Sequence, residues 1–540
     1  MDRIKRALRW LLRNASDVLF VALATALTVW IASDAFGARV VTLSQGADYW
    51  EHSATLRELI DHPFAPQNPH LGSSAASPRF VPLFILVALI ARVLHWDALD
   101  AMGLAATLNT LLLCGGIFWF FRSYFRDARA ALIALVVLFA SWYDAWHFSN
   151  VYQLKIFFST APYPSTTALA LSLFGFALTL RMLRAGQVRF GLVGLSFFWA
   201  LVAITHPLTA LLGFCGAVLL ALTEPKVAWK HRLEIAATVP LGLLLSFLWP
   251  YFSMRHVLVG GSHDQVEAIS RSLAGANAEE QSGKLHQFYR TNGLVRALGA
   301  ALLGIPISLY LLVRRQRLFI PLGVLAMGLP FVLNAFVPLP LGHRFILLAV
   351  FYLQVAVVWL LMKLMPAAPE AFRFVNHRVV RWVSLAAVTA ALFTIAWLNI
   401  DAALGRLDYS SRRMHGTEVS GNIRYARRVA ELAGPQAVIL ADAQTSWPIP
   451  TFGPKVLLIL HNNPLVTDEG ERITHVAHFL NPSTSDADRR ETLARFGVTH
   501  LVLKRNQARR IERFLSLTDG RSQLPGGYVL YGIGPALRKP

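Results

Sequence analysis

The stretch Gly46-Ala47-Asp48-Tyr49-Trp50-Glu51-His52-Ser53-Ala54-Thr55-Leu56-Arg57 gathers two carboxylates, a histidine and an arginine, in a chain that is 55% hydrophobic. Asp48 and Glu51 are three apart and share a face if the stretch is helical. Tyr49 and Trp50 suit a membrane–water interface. A carboxylate there can take the proton of an attacking hydroxyl. If the other reactant is a lipid phosphate, cations must neutralise the leaving group, and the planar fork of arginine binds it bidentately. Arg57, Arg79, Arg255 and Arg344 are the candidates on the same side of the membrane. Arg344, in Gly342-His343-Arg344-Phe345, opens a late apolar run after Pro338-Leu339-Pro340-Leu341. A charge there faces the bundle interior or the headgroups, or it is a snorkelling anchor. Asp48, Glu51 and His52 are also metal-ligand types, at a spacing common without a metal, so metal dependence stays open. The plain alternative is two solvated acids on the first turn of a surface helix.

These residues need a scaffold, and composition names its class. Only 15% of the 540 residues are charged, against about 25% in soluble domains, and mean hydropathy is +0.47. This is a polytopic membrane protein. Cys114 and Cys215 both lie inside apolar runs and make no disulfide framework. The net charge of +20 sits mostly in short loops between apolar runs, which fits the positive-inside rule and anionic headgroups and argues against nucleic acid. Arg3, Lys5, Arg6, Arg9 and Arg13 precede a run without a clean small-residue cleavage site, which reads as an uncleaved first span with a cytoplasmic N-terminus.

The apolar runs are Val18–Ser33, Phe80–Trp96, Gly103–Phe121, Ala130–Trp146, Ser165–Leu183, Phe190–Ile204, Leu208–Leu222, Ile235–Ser253, Leu294–Val313, Phe319–Val337, Phe345–Leu364 and Val379–Ile400. They predict about 11–13 helical membrane segments. Basic loops at Arg181/Arg184/Arg189, Lys226/Lys230/Arg232, Arg314/Arg315/Arg317 and Lys363/Arg373/Arg378/Arg381 face the cytoplasm. The loops 35–78 and 255–293 and everything after 401 then lie outside. Both ends of Phe80–Trp96 fall on one side, so either that segment is re-entrant or interfacial, or Arg122, Arg126 and Arg129 break the rule. His206-Pro207 reads as a short external turn or as a kink with a satisfied histidine. Loop 255–293, with His263 in Gly260-Gly261-Ser262-His263-Asp264, reads as a lid.

After 401 the pattern changes. Ala437–Ala441, Lys455–Leu460, Thr499–Leu503 and Tyr528–Tyr531 read as strands, and Ile423–Ala433, Asp486–Phe496 and Asn506–Leu517 as amphipathic helices. That alternation predicts a C-terminal extracytoplasmic α/β domain over 401–540, behind a transmembrane domain over 1–400. Trp447 is either a sugar-stacking residue or a buried turn aromatic.

Three stretches carry a resemblance to the GT-C superfamily of membrane glycosyltransferases. These are Asp48-Tyr49-Trp50-Glu51, then Ser77-Pro78-Arg79-Phe80-Val81-Pro82-Leu83-Phe84, then His343-Arg344-Phe345. A C-terminal α/β domain with Phe496-Gly497-Val498-Thr499-His500-Leu501-Val502 is also like those appended to such enzymes. The resemblance implies an inverting transferase that moves a sugar from a polyprenyl-phosphate donor to a lipid, glycan or protein acceptor outside the cytoplasm, in a bacterial inner membrane. It implies Asp48 as catalytic base, Glu51 as a second acidic site residue and Arg344 as a donor-phosphate contact; Arg57, Arg79, His206, His263 and His343 are the further substrate-contact candidates that the residues themselves offer. Asp48 and Glu51 depart from the adjacent acid pair common in the family, which leaves their division of labour open. Members that use monophosphate donors often need no metal, whereas the oligosaccharyltransferase branch does; the reading favours no cofactor and leaves a divalent metal as the alternative. A flippase for a polyprenyl-linked substrate, a glycan polymerase or ligase and a structural scaffold are the alternatives. The flippase reading needs mid-bilayer charges and internal repeats, whereas the spans hold few charges and no clear repeat relates the halves.

Overall fold

A computed structural model describes residues 14–37, 47–146, 148–185, 189–259, 291–337, 341–365, 421–461 and 463–538, with single positions 289, 339, 397, 399–401 and 404. The chain forms two compact units. One comprises Met1–Asp34, Ala106–Leu248 and Ser282–Tyr409, and the other Ala35–Ala105, Trp249–Gln281 and Ser410–Pro540.

The first unit is helical, as apolar sequence in lipid must be to pair its backbone. Among the described residues of the chain, five helices are long and apolar enough to cross a membrane: Ala15–Phe36, Ala98–Phe125, Pro164–Ala185, Gly293–Val313 and Gly342–Leu364. Arg129–Ala140, Gly191–Thr205, Pro207–Thr223 and Phe319–Asn334 are shorter apolar helices. Of the last apolar run, Val379–Ile400, only positions 397, 399 and 400 are described. Ala130–Trp146 is not the continuous span expected. Its helix stops at Ala140, because the backbone beyond it is held by side chains and by the backbone of another segment instead. Asn399 donates to Trp142 O (2.9 Å), Gln153 donates to Tyr143 O (2.6 Å), and the Asp144 N–H donates to Arg296 O (2.7 Å). At His206-Pro207 one helix ends at Thr205 and the next begins at Pro207, with His206 as its N-cap.

The second unit combines the acidic stretch with the C-terminal region. Ala47–Asp61 is a 15-residue helix whose apolar side chains Tyr49, Trp50, Ala54, Leu56 and Leu59 are all buried. It packs against the helix Pro82–Val93 and the turn Ile449–Phe452. Pro82–Val93, the core of the ambiguous Phe80–Trp96 run, has 12 residues, about 18 Å at 1.5 Å per residue, which is short of a roughly 30 Å hydrocarbon core. The C-terminal region builds one five-stranded sheet in the order β2-β1-β3-β5-β4, from β1 (Val438–Leu440), β2 (Lys455–Val456), β3 (His500–Lys504), β4 (Gly520–Gln523) and β5 (Tyr528–Gly532). The pairs β2–β1 and β1–β3 are parallel, and β3–β5 and β5–β4 antiparallel. Helices Gly421–Ala433, Glu469–Leu480 and Asp486–Arg495 accompany the sheet, and Leu440, Phe479, Leu493, Leu501, Phe514 and Val529 share its core.

Three details differ from the sequence reading. The strand expected over Lys455–Leu460 pairs only at Lys455 and Val456, and beyond them the chain leaves the sheet toward His461. The helix expected over Asn506–Leu517 breaks at Ile511 into Arg505–Arg510 and Glu512–Leu515. β4, Gly-Arg-Ser-Gln, carries no apolar alternation and forms as the polar edge partner of β5.

A candidate acidic site

Four side chains of the second unit converge. Asp48 lies in the first turn of the Ala47–Asp61 helix, where a negative charge meets the positive end of the helix dipole, and Glu51 follows on the same face. Arg79 stands just before the Pro82 helix. Its Nε donates to Glu51 Oε1 at 2.8 Å and its Nη2 to Oε2 at 3.3 Å, a fork on a carboxylate. The fourth side chain, His461, was not anticipated. Its Nδ1 lies 3.4 Å from Asp48 Oδ1 and 3.4 Å from Glu51 Oε2.

The two acids are held differently. The Glu51 side chain is 10% exposed and that of Asp48 is 41% exposed. Burial pushes the Glu51 pKa up, but the charge of Arg79, the His461 contact and the charges of His461 and His52 outweigh it, and Glu51 is held well below the usual carboxylate range. Arg79 is in turn pushed up by Glu51 and Asp48 against its own burial. Burial also works against charge on His461, yet Glu51 and Asp48 raise its pKa. Glu51 is thus a fixed anion, while Asp48 presents an accessible carboxylate beside it.

The His461 ring is walled by Trp447, edge-on at 5.1 Å, and Trp447 is stacked on His70 at 5.0 Å. Burial holds His70 down to about 4, so its ring is neutral. Trp447 is 3% exposed and has no face open to a sugar. Of its two expected readings, the buried aromatic is the observed one. His52 turns its ring to Phe84 (5.5 Å), and the nitrogen beside the two acids comes from His461 instead. Asp48, Glu51 and His461 each offer one ligand atom, all within 4.8 Å of one another.

The remaining candidates fall elsewhere. Arg57 pairs with Asp61 at 2.7 Å. In the helical unit, Arg344 lies with its Cζ 5.1 Å from the centre of the Phe148 ring, which also meets His343 at 6.3 Å. His206 Nδ1 accepts from the Thr209 N–H at 3.2 Å. His263 lies outside the described residues. No local spacing points to His461, which follows Glu51 by 410 positions. One signal was available: it comes shortly after a parallel strand, and in α/β sheets ligands gather beyond the carboxyl ends of strands.

A scan with protein-family models finds no match, and a search of the curated proteins finds none. Among solved structures, the chain is similar to the crystal structure of the Archaeoglobus fulgidus oligosaccharyltransferase tethered with an acceptor peptide containing the NVT sequon via a disulfide bond. The TM-score is 0.52 at 12% sequence identity, over 89% of this chain and 69% of that one. Against a crystal structure of the same enzyme in complex with Zn and sulfate the TM-score is 0.50 at 13% identity, over 88% and 67%. At these identities the likeness is one of fold. The chain shares the fold of that oligosaccharyltransferase, and among its described residues five helices are long and apolar enough to cross a membrane.

Proposed function

We infer that this protein is an inverting glycosyltransferase that moves a sugar from a polyprenyl-phosphate donor to an acceptor on the extracytoplasmic side of the membrane. The acceptor peptide in the neighbouring oligosaccharyltransferase favours a protein acceptor over a lipid or glycan. The observation that carries the reading is the asymmetry of the acid pair. Glu51, clamped by Arg79, is too acidic to collect a proton, whereas the half-open Asp48 can take it from the acceptor as the acceptor attacks the sugar carbon. The carbon–phosphate-oxygen bond breaks on the opposite face, and the phosphate leaves as an anion. Arg344, with His343 and His206, is proposed for that phosphate, and His263 as a further substrate contact. In this reading residues 1–400 form the transmembrane catalytic domain and 401–540 the extracytoplasmic α/β domain. The membrane is a bacterial inner membrane with the N-terminus in the cytoplasm. The Zn complex of the neighbouring enzyme gives a reason to ask whether a divalent ion takes part here.

The test is transfer by purified protein, wild type against Asp48→Asn, with radiolabelled polyprenyl-phosphate sugars and a membrane extract as acceptor source. Label reaching an acceptor with the wild type alone supports the assignment. Full activity in the variant refutes Asp48 as base, and donor binding without transfer in both forms points to a flippase.

A further inference from the structure

We propose that the C-terminal α/β region carries a docking groove for an extended acidic segment of another protein, between the helix Gly421–Ala433 and the open edge of β4. The inference goes beyond sugar transfer, does not rest on it, and shares no side chain with the acidic site.

The two edges of the sheet are treated differently. At β2 the Val456 N–H donates to His70 O at 2.7 Å, and Leu71 pairs with Val456 as a parallel bridge, so the segment after the acidic helix covers that edge. β4 pairs only with β5. The Leu524 N–H donates to Tyr528 O at 2.9 Å. In an antiparallel ladder that bond turns the backbone of Leu524 and Ser522 toward β5, and the N–H and C=O of Arg521 and Gln523 outward. Among the described residues nothing takes these outward groups up. Such a row is a template for one more strand.

A groove of about 540 Å³ adjoins the end of that edge at Gln523. The helix beside it turns Ile423, Tyr425, Ala426 and Val429 inward, and Tyr425 stacks on Tyr528 at 4.8 Å, which fixes the helix against the start of β5. Arg424, Arg427 and Arg428 are left on the exposed side, at the i, i+3, i+4 spacing of one helix face, and all three line the groove. Arg428 is paired with Glu431 at 2.9 Å. Among the described residues no carboxylate pairs with Arg424 or Arg427. The Arg427 Cζ stands 5.6 Å over the Phe452 ring, and a guanidinium stacked on a ring keeps its N–H edge for an anion.

Two uncompensated guanidinium groups beside an outward strand edge call for carboxylates and main chain together. An extended peptide with acids at alternate positions offers both, because every second side chain of an added strand turns to one face. Its backbone pairs with Arg521 and Gln523, and its acidic face meets the arginines. A lipid headgroup supplies anions but no strand.

The test uses full-length protein in non-ionic detergent, titrated into a fluorescein-labelled hexapeptide of alternating glutamate and valine and followed by anisotropy. Saturable binding that weakens with salt is expected. The matching glutamine–valine peptide should not bind, nor should a fully N-methylated version, which keeps the charge but cannot pair. Arg424→Gln and Arg427→Gln should each weaken binding about tenfold or more, the loss of a charge-assisted hydrogen bond. Gln523→Pro removes an outward N–H that the fold does not use, at a position where edge strands accept proline, so binding should be lost with thermal unfolding unchanged. No binding by the wild type, or equal binding by the Arg424→Gln/Arg427→Gln double variant, would overturn the proposal. So would equal binding of the N-methylated peptide, or its displacement by short-chain phosphatidylglycerol, which would make the groove a headgroup site. Because binding is read without donor or turnover, its failure is separate from any failure of sugar transfer.

Discussion

Glu51 and Glu58 lie two turns apart on one helix, both buried and both paired to a cation, and they are used in opposite ways. Every direction around Glu58 is taken. Its Oε2 accepts from Lys455 Nζ at 2.7 Å, and its Oε1 accepts from the Gln67 N–H at 2.9 Å and lies 3.1 Å from His62 Nδ1. Lys455 is saturated as well, donating also to Asn68 O at 2.6 Å, while Val456 takes a bridge from Leu71. This pair fastens the segment after the acidic helix to the edge of the sheet at β2. Around Glu51 only one side is closed, by Arg79. The other side opens on the half-exposed Asp48 and meets only a long contact from His461 Nδ1, 3.4 Å from both acids. The same chemical pair is a fastening where its neighbours are complete, and a site where they are not.

The largest effect belongs to the open pair. Asp48→Asn keeps size and shape and removes the base, so transfer should fall by about 10²–10⁴-fold with the unfolding temperature unchanged. Glu58→Gln should leave turnover per folded molecule within about twofold of wild type. If both variants lost activity equally, the distinction between the two acids would collapse.

The closed pair should dominate stability. Lys455→Met strands a Glu58 carboxylate whose side chain is 5% exposed, at a cost of about 3–5 kcal/mol for breaking a buried pair. The double variant Glu58→Gln/Lys455→Met removes the stranded charge and keeps an acceptor for the Gln67 N–H, so thermal unfolding should recover most of the loss. A double variant no better than Lys455→Met would mean that the pair is not the source.

A smaller signature of the same pair lies in acid. Burial pushes the Glu58 pKa up, but the charge and hydrogen bond of Lys455 and the Gln67 N–H outweigh it, and the folded value lies below the ordinary 4.5. A carboxylate depressed on folding contributes stability that is present above the unfolded pKa and lost as pH falls through the folded one. Wild-type unfolding temperature should therefore drop as pH falls below about 4.5, and drop less steeply in Glu58→Gln. Identical acid slopes would show that the pair is not linked to protons.

How much of this was legible depends on distance along the chain. Asp48 and Glu51 stand out because acids are rare in an apolar sequence, and the three-residue spacing puts them on one face. The strands β1, β3 and β5 are visible because their β-branched and apolar runs are buried. β4 is not, since an edge strand paired on one side needs no apolar residues. The exit from the sheet after Val456 is equally hidden, because Leu457–Leu460 continue an apolar run and only tertiary packing decides where pairing stops. His461 could not be read from any local pattern. His52 was the nearest imidazole in sequence, but Phe84 meets its ring, and the donor comes from a distant strand exit.

The smallest expected effect tests a residue that the sequence offered as a phosphate contact. Arg57 holds Asp61 at 2.7 Å, with side chains 25% and 38% exposed, an i, i+4 pair on the flank of the acidic helix. Exposed pairs of this kind contribute about 0.3–0.5 kcal/mol, so Arg57→Ala should scarcely move the unfolding temperature, and less so in high salt. If Arg57 only supports its helix, donor KM should stay within about twofold of wild type. A phosphate contact would instead raise KM about tenfold or more, since a charge-assisted hydrogen bond contributes about 1.5–3 kcal/mol. That result would extend the open region of the helix from Asp48 past Glu51 almost to Glu58, and the line between fastening and site would have to be drawn one turn later.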